Sequence, residues 1–291
     1  MDLYLGALIQ GLCFSAIALG IFISMKIFNI PDITTDGSYT LGGAVTAKLL
    51  VLHQPVFVVL PVVIAAGALA GTFTGLIHTK LKINALLAGI LVMMSLYAIN
   101  LEIMGRSNIP LGNFPSIYNI LNISSNPNYN TFWIVLVFAI LTTLVIGYLL
   151  KTDFGIAMRA TGNSETMVRA LGVNTDRMKI IGLAMANALT ALSGYLITEY
   201  QNYSDINMGI GMVIVGLGSV IIAETFINWF NITSVWISLT LVLSGAIIFQ
   251  FVLAFTLSAG LDPILLKLVT AVFVLLIVSL PRLSASFKSS S

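Results

Sequence analysis

The sequence predicts an all-α polytopic membrane protein, and three observations carry that prediction. Only 8% of the 291 residues are charged, where an ordinary soluble domain carries roughly 25%. Hydrophobic residues make up 58%, and the mean hydropathy is +1.03. Runs such as PVVIAAGALAG and VFVLLIVSL do not alternate, as the strands of a lipid-spanning barrel would. Lipid offers no partner for free backbone groups, so these runs must be helices. The same composition speaks against a disordered chain, a disulfide scaffold and a water-soluble enzyme. A net charge of +2 without a basic patch speaks against a nucleic-acid partner.

Nine apolar stretches follow one another, at about 3–25, 38–52, 55–77, 84–104, 131–150, 180–200, 208–226, 233–257 and 263–280. At ~20 residues per span they predict about nine transmembrane helices, with eight to ten compatible with the same pattern. The first lacks a basic leader and reads as a retained span. Basic residues set the orientation. With the N-terminus outside, Lys26, Lys80, Lys82, Lys151, Arg159, Arg169, Arg177, Lys179, Arg282 and Lys288 fall inside, and only Lys48, Arg106 and Lys267 outside. The expected topology is therefore N-out and C-in. One long outer loop, about 105–130, is rich in Pro, Asn and Ser. One long inner loop, about 151–179, carries five of the 13 basic residues and is large enough to dock a partner.

Two segments look broken. The second runs from Pro31 through Asp36 and the Gly42–Gly43 pair, with only about 15 apolar-leaning residues, short for a span. The seventh holds Gly209, Gly211, Gly216 and Gly218. Each glycine weakens a helix by about 1 kcal/mol, so these segments predict short, broken or re-entrant helices. Such a pair in corresponding positions of two halves marks a substrate path in inverted-repeat transporters. Half-helix ends would offer backbone groups to a polar solute, joined by Ser38, Tyr39, Thr40 and Asn207. The alternatives are glycines that only let helices pack, and an Asp36 that caps its own helix at the membrane surface. Elsewhere packing is the better reading. Gly67, Gly71 and Gly75, and likewise Gly182, Ala186, Thr190 and Gly194, repeat at four-residue spacing, which lets helix backbones approach.

Ion-driven carriers need ionisable groups deep in the bilayer. Glu102, Glu199, Glu224, Lys48 and Lys267 all fall near expected span ends, and no acid sits clearly at a span centre. No Cys/His cluster suits a metal, no cofactor is expected, and no GxxxxGK[ST], HExxH or GxSxG motif occurs. The expectation is a conduit, not an enzyme, powered from elsewhere. Within the inner loop, Asn163 is placed to cap a short helix over about 164–171. Glu165 then lies in its first turn and Gly172 at its stop. Met167, Val168 and Leu171 would form an apolar stripe fit for a protein groove, or for lying on lipid.

The stretch Gly155-Ile-Ala-Met-Arg159-Ala160-Thr-Gly162-Asn163, followed by Ala170-Leu-Gly172-Val173, resembles the coupling segment of bacterial ABC-importer permeases. More narrowly it resembles the branched-chain amino acid/ribose-type family. Residues 34–43, the run Asn207-Met208-Gly209-Ile-Gly211 and the run Leu81–Ile90 resemble other parts of the same group, in the same order. The nearest match is a poorly characterised subgroup associated with tryptophan or other amino acids. The resemblance implies a single permease domain over 1–291 in the bacterial plasma membrane, importing a small polar solute such as an amino acid. The implied partners are a second permease chain, giving a homodimer, together with cytoplasmic ATP-binding subunits and an extracellular substrate-binding protein. Gly155, Arg159, Ala160, Gly162, Asn163, Ala170 and Gly172 are then the coupling positions. Asp36, Ser38, Tyr39, Thr40, Gly42, Gly43, Asn207, Met208, Gly209, Gly211, Gly216 and Gly218 are the pathway candidates. Arg159 is expected to meet an acidic rim on the ATP-binding subunit, and Arg169 to mark the headgroups. A stand-alone secondary transporter and a non-transporting scaffold are the rival readings.

Overall fold

The computed structural model describes residues 2–121, 123–260, 265, 268–276 and 279. Eleven helices are delimited among them. Helix α1 (Asp2–Ile21) continues into a π-helical end, Phe22–Ile27. Then come α2 (Thr34–Val51), α3 (Val56–Lys80), α4 (Ala85–Met104), α5 (Ile117–Ile120), α6 (Pro127–Lys151), α7 (Asp153–Asn163), α8 (Glu165–Ala170), α9 (Thr175–Gln201), α10 (Met212–Trp229) and α11 (Val235–Ser258). Seven of them (α1 with its π-helical end, α3, α4, α6, α9, α10 and α11) are long and apolar enough to cross a membrane. They match seven of the nine expected stretches. The ninth, 263–280, is described only in part: 268–276 is helical and most of the remainder lies outside the described residues.

The second expected stretch is α2, which is too polar to be counted among the seven. Its position explains this. Thr34, Thr35, Ser38, Thr40 and Thr46 are buried among α3, α4 and α9, so little of the helix need meet lipid. Helix α2 also corrects the expectation of a break at Gly42–Gly43, because it runs unbroken from Thr34 to Val51. A β-carbon at Gly42 would strike the Ala191 backbone, and one at Gly43 the side chains of Thr198 and Met208. These glycines are there for close packing. The irregular backbone lies instead just before the helices, at 28–33 ahead of α2 and 206–211 ahead of α10.

Helices α1 and α9 form the buried centre. Helix α3 packs along α9, and α11 packs along α1. Gly67, Gly71 and Gly75 face the backbone at Asn187, Leu183 and Ile180 in turn. The small-residue stripes therefore join helices within the chain. A polar network crosses this seam. Asp32 Oδ1 accepts the Thr34 N–H (2.9 Å) and Asp32 Oδ2 accepts from Asn187 Nδ2 (2.7 Å). Ser38 donates to Asn187 Oδ1 (2.7 Å), and the Thr34 and Thr74 hydroxyls lie 2.7 Å apart. Asn187→Leu would leave the buried Asp32 carboxylate short of a partner at a cost of about 3 kcal/mol. The thermal unfolding midpoint in detergent should fall by roughly 5–10 °C.

The loop at 105–130 is tied down. Strand β1 (Asn108–Pro110) pairs antiparallel with β2 (Tyr203–Asp205), with Ile109 opposite Ser204. Glu199 Oε2 accepts the Ile117 N–H (3.0 Å), and the Tyr118 hydroxyl donates to the Leu196 carbonyl (3.0 Å). Asn130 Nδ2 donates to the carbonyls of Tyr118 and Leu121. The pairing places the ends of α4 and α9 at one end of the bundle. The turn at 28–33 meets α7 at the other, through Asn29 and Gly162.

Candidate functional site

Helix α10 begins late. After α9 and β2 the chain turns through 206–211, lies against the first half of α2 at Asp36 and Thr40, and becomes helical only at Met212. Gly211 caps it with φ +88, a left-handed conformation that glycine adopts without strain. Gly211 has no side chain to cap with, and the acceptor comes from α2. Asp36 Oδ2 accepts the Gly211 N–H (3.0 Å) and Asp36 Oδ1 the Val213 N–H (2.8 Å). A carboxylate on the positive end of a helix dipole is stabilising, and its hydrogen bonds are charge-assisted. The depth of this junction is given by Gly37, whose α-carbon meets Met93 and Leu96 in the middle of α4. Asp36 therefore caps a neighbouring helix inside the bundle, which corrects the reading of it as a cap of its own helix at the surface.

The pathway candidates divide. Asp36, Thr40, Gly209 and Gly211 come together here, while Met208 turns its sulfur to Thr198, Ser204 and Gly43. The α-carbon of Gly209 lies so close to the Asp36 carbonyl and the Thr40 hydroxyl that no β-carbon fits. Ile210 and Ile214 are exposed beside it, so this side of the junction is open. Asn207 is exposed, and its N–H is held by the Asp205 carboxylate (2.8 Å). Ser38, Tyr39, Gly42 and Gly43 point into the α9 and α1 seam. Tyr39 is fully buried against the Phe14 ring. Gly216 faces Ile21 and Gly218 faces Phe249, both packing contacts. Sequence reasoning missed Asp32 and Asn187. Glu199 lies near the end of α9, where the sequence placed it, and is buried there, while Asp32 and Asp36 at the start of α2 are interior carboxylates.

The loop at 151–179 is a two-helix elbow. Thr152 caps α7, accepting the Gly155 N–H (3.4 Å). Gly155 lies against the backbone of Leu149 and Leu150, and Gly162 against the Ile27 carbonyl, both too close for a side chain. Asn29 Nδ2 donates to the Gly162 carbonyl (3.2 Å). Helix α7 is thereby clamped to the end of α1. The expected cap Asn163 is instead the last residue of α7, and Ser164 caps α8 by accepting the Met167 N–H (3.4 Å). Gly172, with φ +84, closes α8 as expected. Its N–H reaches the Arg169 carbonyl, and that of Val173 the Val168 carbonyl, the Schellman pattern. Met167 and Leu171 are strongly exposed while Val168 is buried. Ala170 is exposed beside them and Ala160 half-buried.

The two arginines stand in different surroundings. Arg169 is engaged within the elbow, donating to Thr175, Glu165 and Asp176 at 2.7–2.9 Å. It braces α8. Arg159 lines a cavity, with its Nε buried and without an acceptor. Glu165 also takes a hydrogen bond from Lys179. That bond first, with the Lys179 and Arg169 charges and against a smaller effect of burial, holds the Glu165 carboxyl below its ordinary range. A depressed carboxylate contributes stability that is present above its unfolded value and lost as pH falls through the folded one. Hydrogen exchange at 165–172 should therefore accelerate below about pH 4. Glu165→Gln should exchange fast at neutral pH and lose that acid step.

Among the described residues no group of His, Cys, Asp and Glu is placed to hold a metal. The family described as "Branched-chain amino acid transport system / permease component" matches residues 3–279. A tyrosine transport system permease protein of Clostridioides difficile is 36% identical over 282 residues, 97% of this chain and 92% of the relative. An uncharacterised Rickettsia prowazekii protein is 32% identical over 94% of this chain and 95% of its own length. The ribose import permease protein RbsC of Haemophilus influenzae is 27% identical over 72% of this chain and 64% of its own. No solved structure matches.

Proposed function

This chain belongs to the branched-chain amino acid transport system permease family, and from that premise we propose that it forms the translocation path of an ABC importer for an amino acid. The path is assigned to the open side of the α2–α10 junction. The observation that carries this is the Asp36-capped start of α10, where irregular backbone at 206–211 lies inside the bundle beside exposed Ile210 and Ile214. Irregular backbone at such depth is tolerated only when protein covers it or when it borders a cavity. Thr40 and Gly209 complete the wall, and Asn207 stands at its outer mouth.

The energy comes from separate ATP-binding subunits docked on α7 and α8. Their contact is the exposed pair Met167 and Leu171 with Ala160, Ala170 and Asn163. Gly155, Gly162 and Gly172 hold the elbow's shape. Motion of the elbow reaches α1 through Gly162 and Ile27 and becomes a rigid-body alternation. Two such chains associate, and an outer binding protein delivers the solute. The N-terminus is outside and the C-terminus cytoplasmic, in a bacterial plasma membrane. Nine helices span when α2 and the last stretch are included. An inverted repeat accounts for the packing exchange, α3 on α9 and α11 on α1, and for the short helices α2 and α10, each preceded by unwound chain.

The solute class is taken from the relative named for tyrosine. The test is uptake by the chain co-expressed with its ATP-binding and binding-protein partners. Labelled tyrosine should enter and be displaced by excess tyrosine, phenylalanine or tryptophan. Uptake displaced only by ribose would contradict the amino-acid assignment. A second reading, an ion-driven carrier, draws on the interior carboxylates of Asp32 and Asp36. It requires uptake that collapses with an ion gradient and ignores ATP.

A further inference from the structure

At the α7 end of the bundle, a cavity of about 270 Å³ opens between the π-helical end of α1, the last turn of α6, α7 and the start of α11. Its lining joins apolar Phe22 and Leu150 to polar Lys26, Arg159, Asn163 and Ser238. Lys26 is matched by Glu224 at 2.9 Å. Among the described residues Arg159 has no such match: its Nε is buried and meets no acceptor. The local sum, Lys26 and Arg159 against Glu224, leaves one positive charge. A buried guanidinium N–H without an acceptor is costly, and its planar fork of donors matches the oxygens of a phosphate or a carboxylate. The start of α11 adds to the same field. Its cap Ser234 makes no side-chain hydrogen bond, and Val235 lines the cavity.

The level of the cavity says which phosphate is at hand. Lys151 lies over the Trp236 ring at 5.4 Å, one residue beyond Val235. Lys and Trp at helix ends mark the headgroup layer. The geometry points to a binding site for one phosphate-class anion on Arg159, filled in the membrane by the phosphodiester of an anionic phospholipid. This inference rests on the chain lying in a membrane and not on the import reading. The bound headgroup braces the end of α1, α7 and α11 together.

The test uses the full chain in phosphatidylcholine nanodiscs. In one arm phosphatidylglycerol is titrated in, and the lipid that stays with the protein is counted by native mass spectrometry. In the other arm inorganic [32P]phosphate is offered instead. Wild type should retain phosphatidylglycerol over phosphatidylcholine, and Arg159→Gln should retain about fivefold less. Binding of inorganic phosphate that depends on Arg159, without lipid preference, supports the anion site and assigns it a soluble source. No difference between wild type and Arg159→Gln with either probe overturns the site. Arg159 bonds to no other described residue, so Arg159→Gln should keep its unfolding midpoint in phosphatidylcholine alone and lose only the stabilisation that phosphatidylglycerol brings to wild type. If it cannot be purified, Arg159→Lys decides: retention below wild type supports the site, and equal retention contradicts it.

Discussion

Asp36→Ala is expected to abolish uptake, and Asp36→Asn to leave a small residue of it. The alanine removes both acceptors from the start of α10 at once and leaves the Gly211 and Val213 N–H groups unsatisfied inside the bundle. Hydrogen bonds to a charged group contribute about 1.5–3 kcal/mol each, so the junction loses roughly 3 kcal/mol or more. That is enough to let 206–211 drift from Gly209's seat on the Asp36 carbonyl. Asparagine keeps one oxygen acceptor but turns an N–H toward the other donor. Uptake in the reconstituted complex and the unfolding midpoint should fall in the same order, wild type, Asn, Ala. An Asp36→Ala protein with full uptake would remove the junction from the path.

The second large effect is expected at Gly162. A β-carbon there would sit on the Ile27 carbonyl, with Phe28 behind it. Backbone cannot swing aside as a long side chain can, so Gly162→Val must push α7 off the end of α1 and break the Asn29 contact. The docking face on α8 is untouched, because Ser164, Gly172 and the Glu165–Arg169–Lys179 set fix it locally. The expected signature is therefore split. ATP-binding subunits still co-purify, ATP is still hydrolysed, and uptake falls at least tenfold. Loss of co-purification would mean that Ala160 and Asn163 of α7, and not Met167 and Leu171 of the α8 end, carry most of the docking contact. Unchanged uptake would mean that the push does not travel through Ile27.

The two sites were legible in the sequence to different depths. Local chemistry read well: the stop at Gly172 follows from a left-handed position that glycine fills, and the four-residue glycine stripes do pack helices. Class read well too, because charge content alone forces the chain into lipid. What failed was anything that depends on a distant partner. Asp32 meets Asn187 across 155 residues, and Asp36 meets Gly211 across 175. Neither separation leaves a trace in spacing, so Asp36 looked like a cap for its own helix. Helix α7 was hidden for a different reason. Two glycines and two threonines in 152–163 lower its propensity, and its helical state is set by the clamp on α1. Adjacent Asn163 and Ser164 are both good caps, and only the geometry selects the second. Gly42 and Gly43 showed the opposite error, since tertiary packing outweighs the intrinsic cost of glycine in a buried helix.

The central claim is that this chain is a conduit without a motor of its own. It is tested most directly by comparing proteoliposomes that hold the purified chain alone with proteoliposomes that also hold its ATP-binding subunits, with the binding protein and labelled amino acid outside in both. The account predicts no accumulation with the chain alone, whatever ion gradient is imposed, and ATP-dependent accumulation once the subunits are present. Concentrative uptake by the chain alone, driven by an ion gradient and indifferent to ATP, would contradict it.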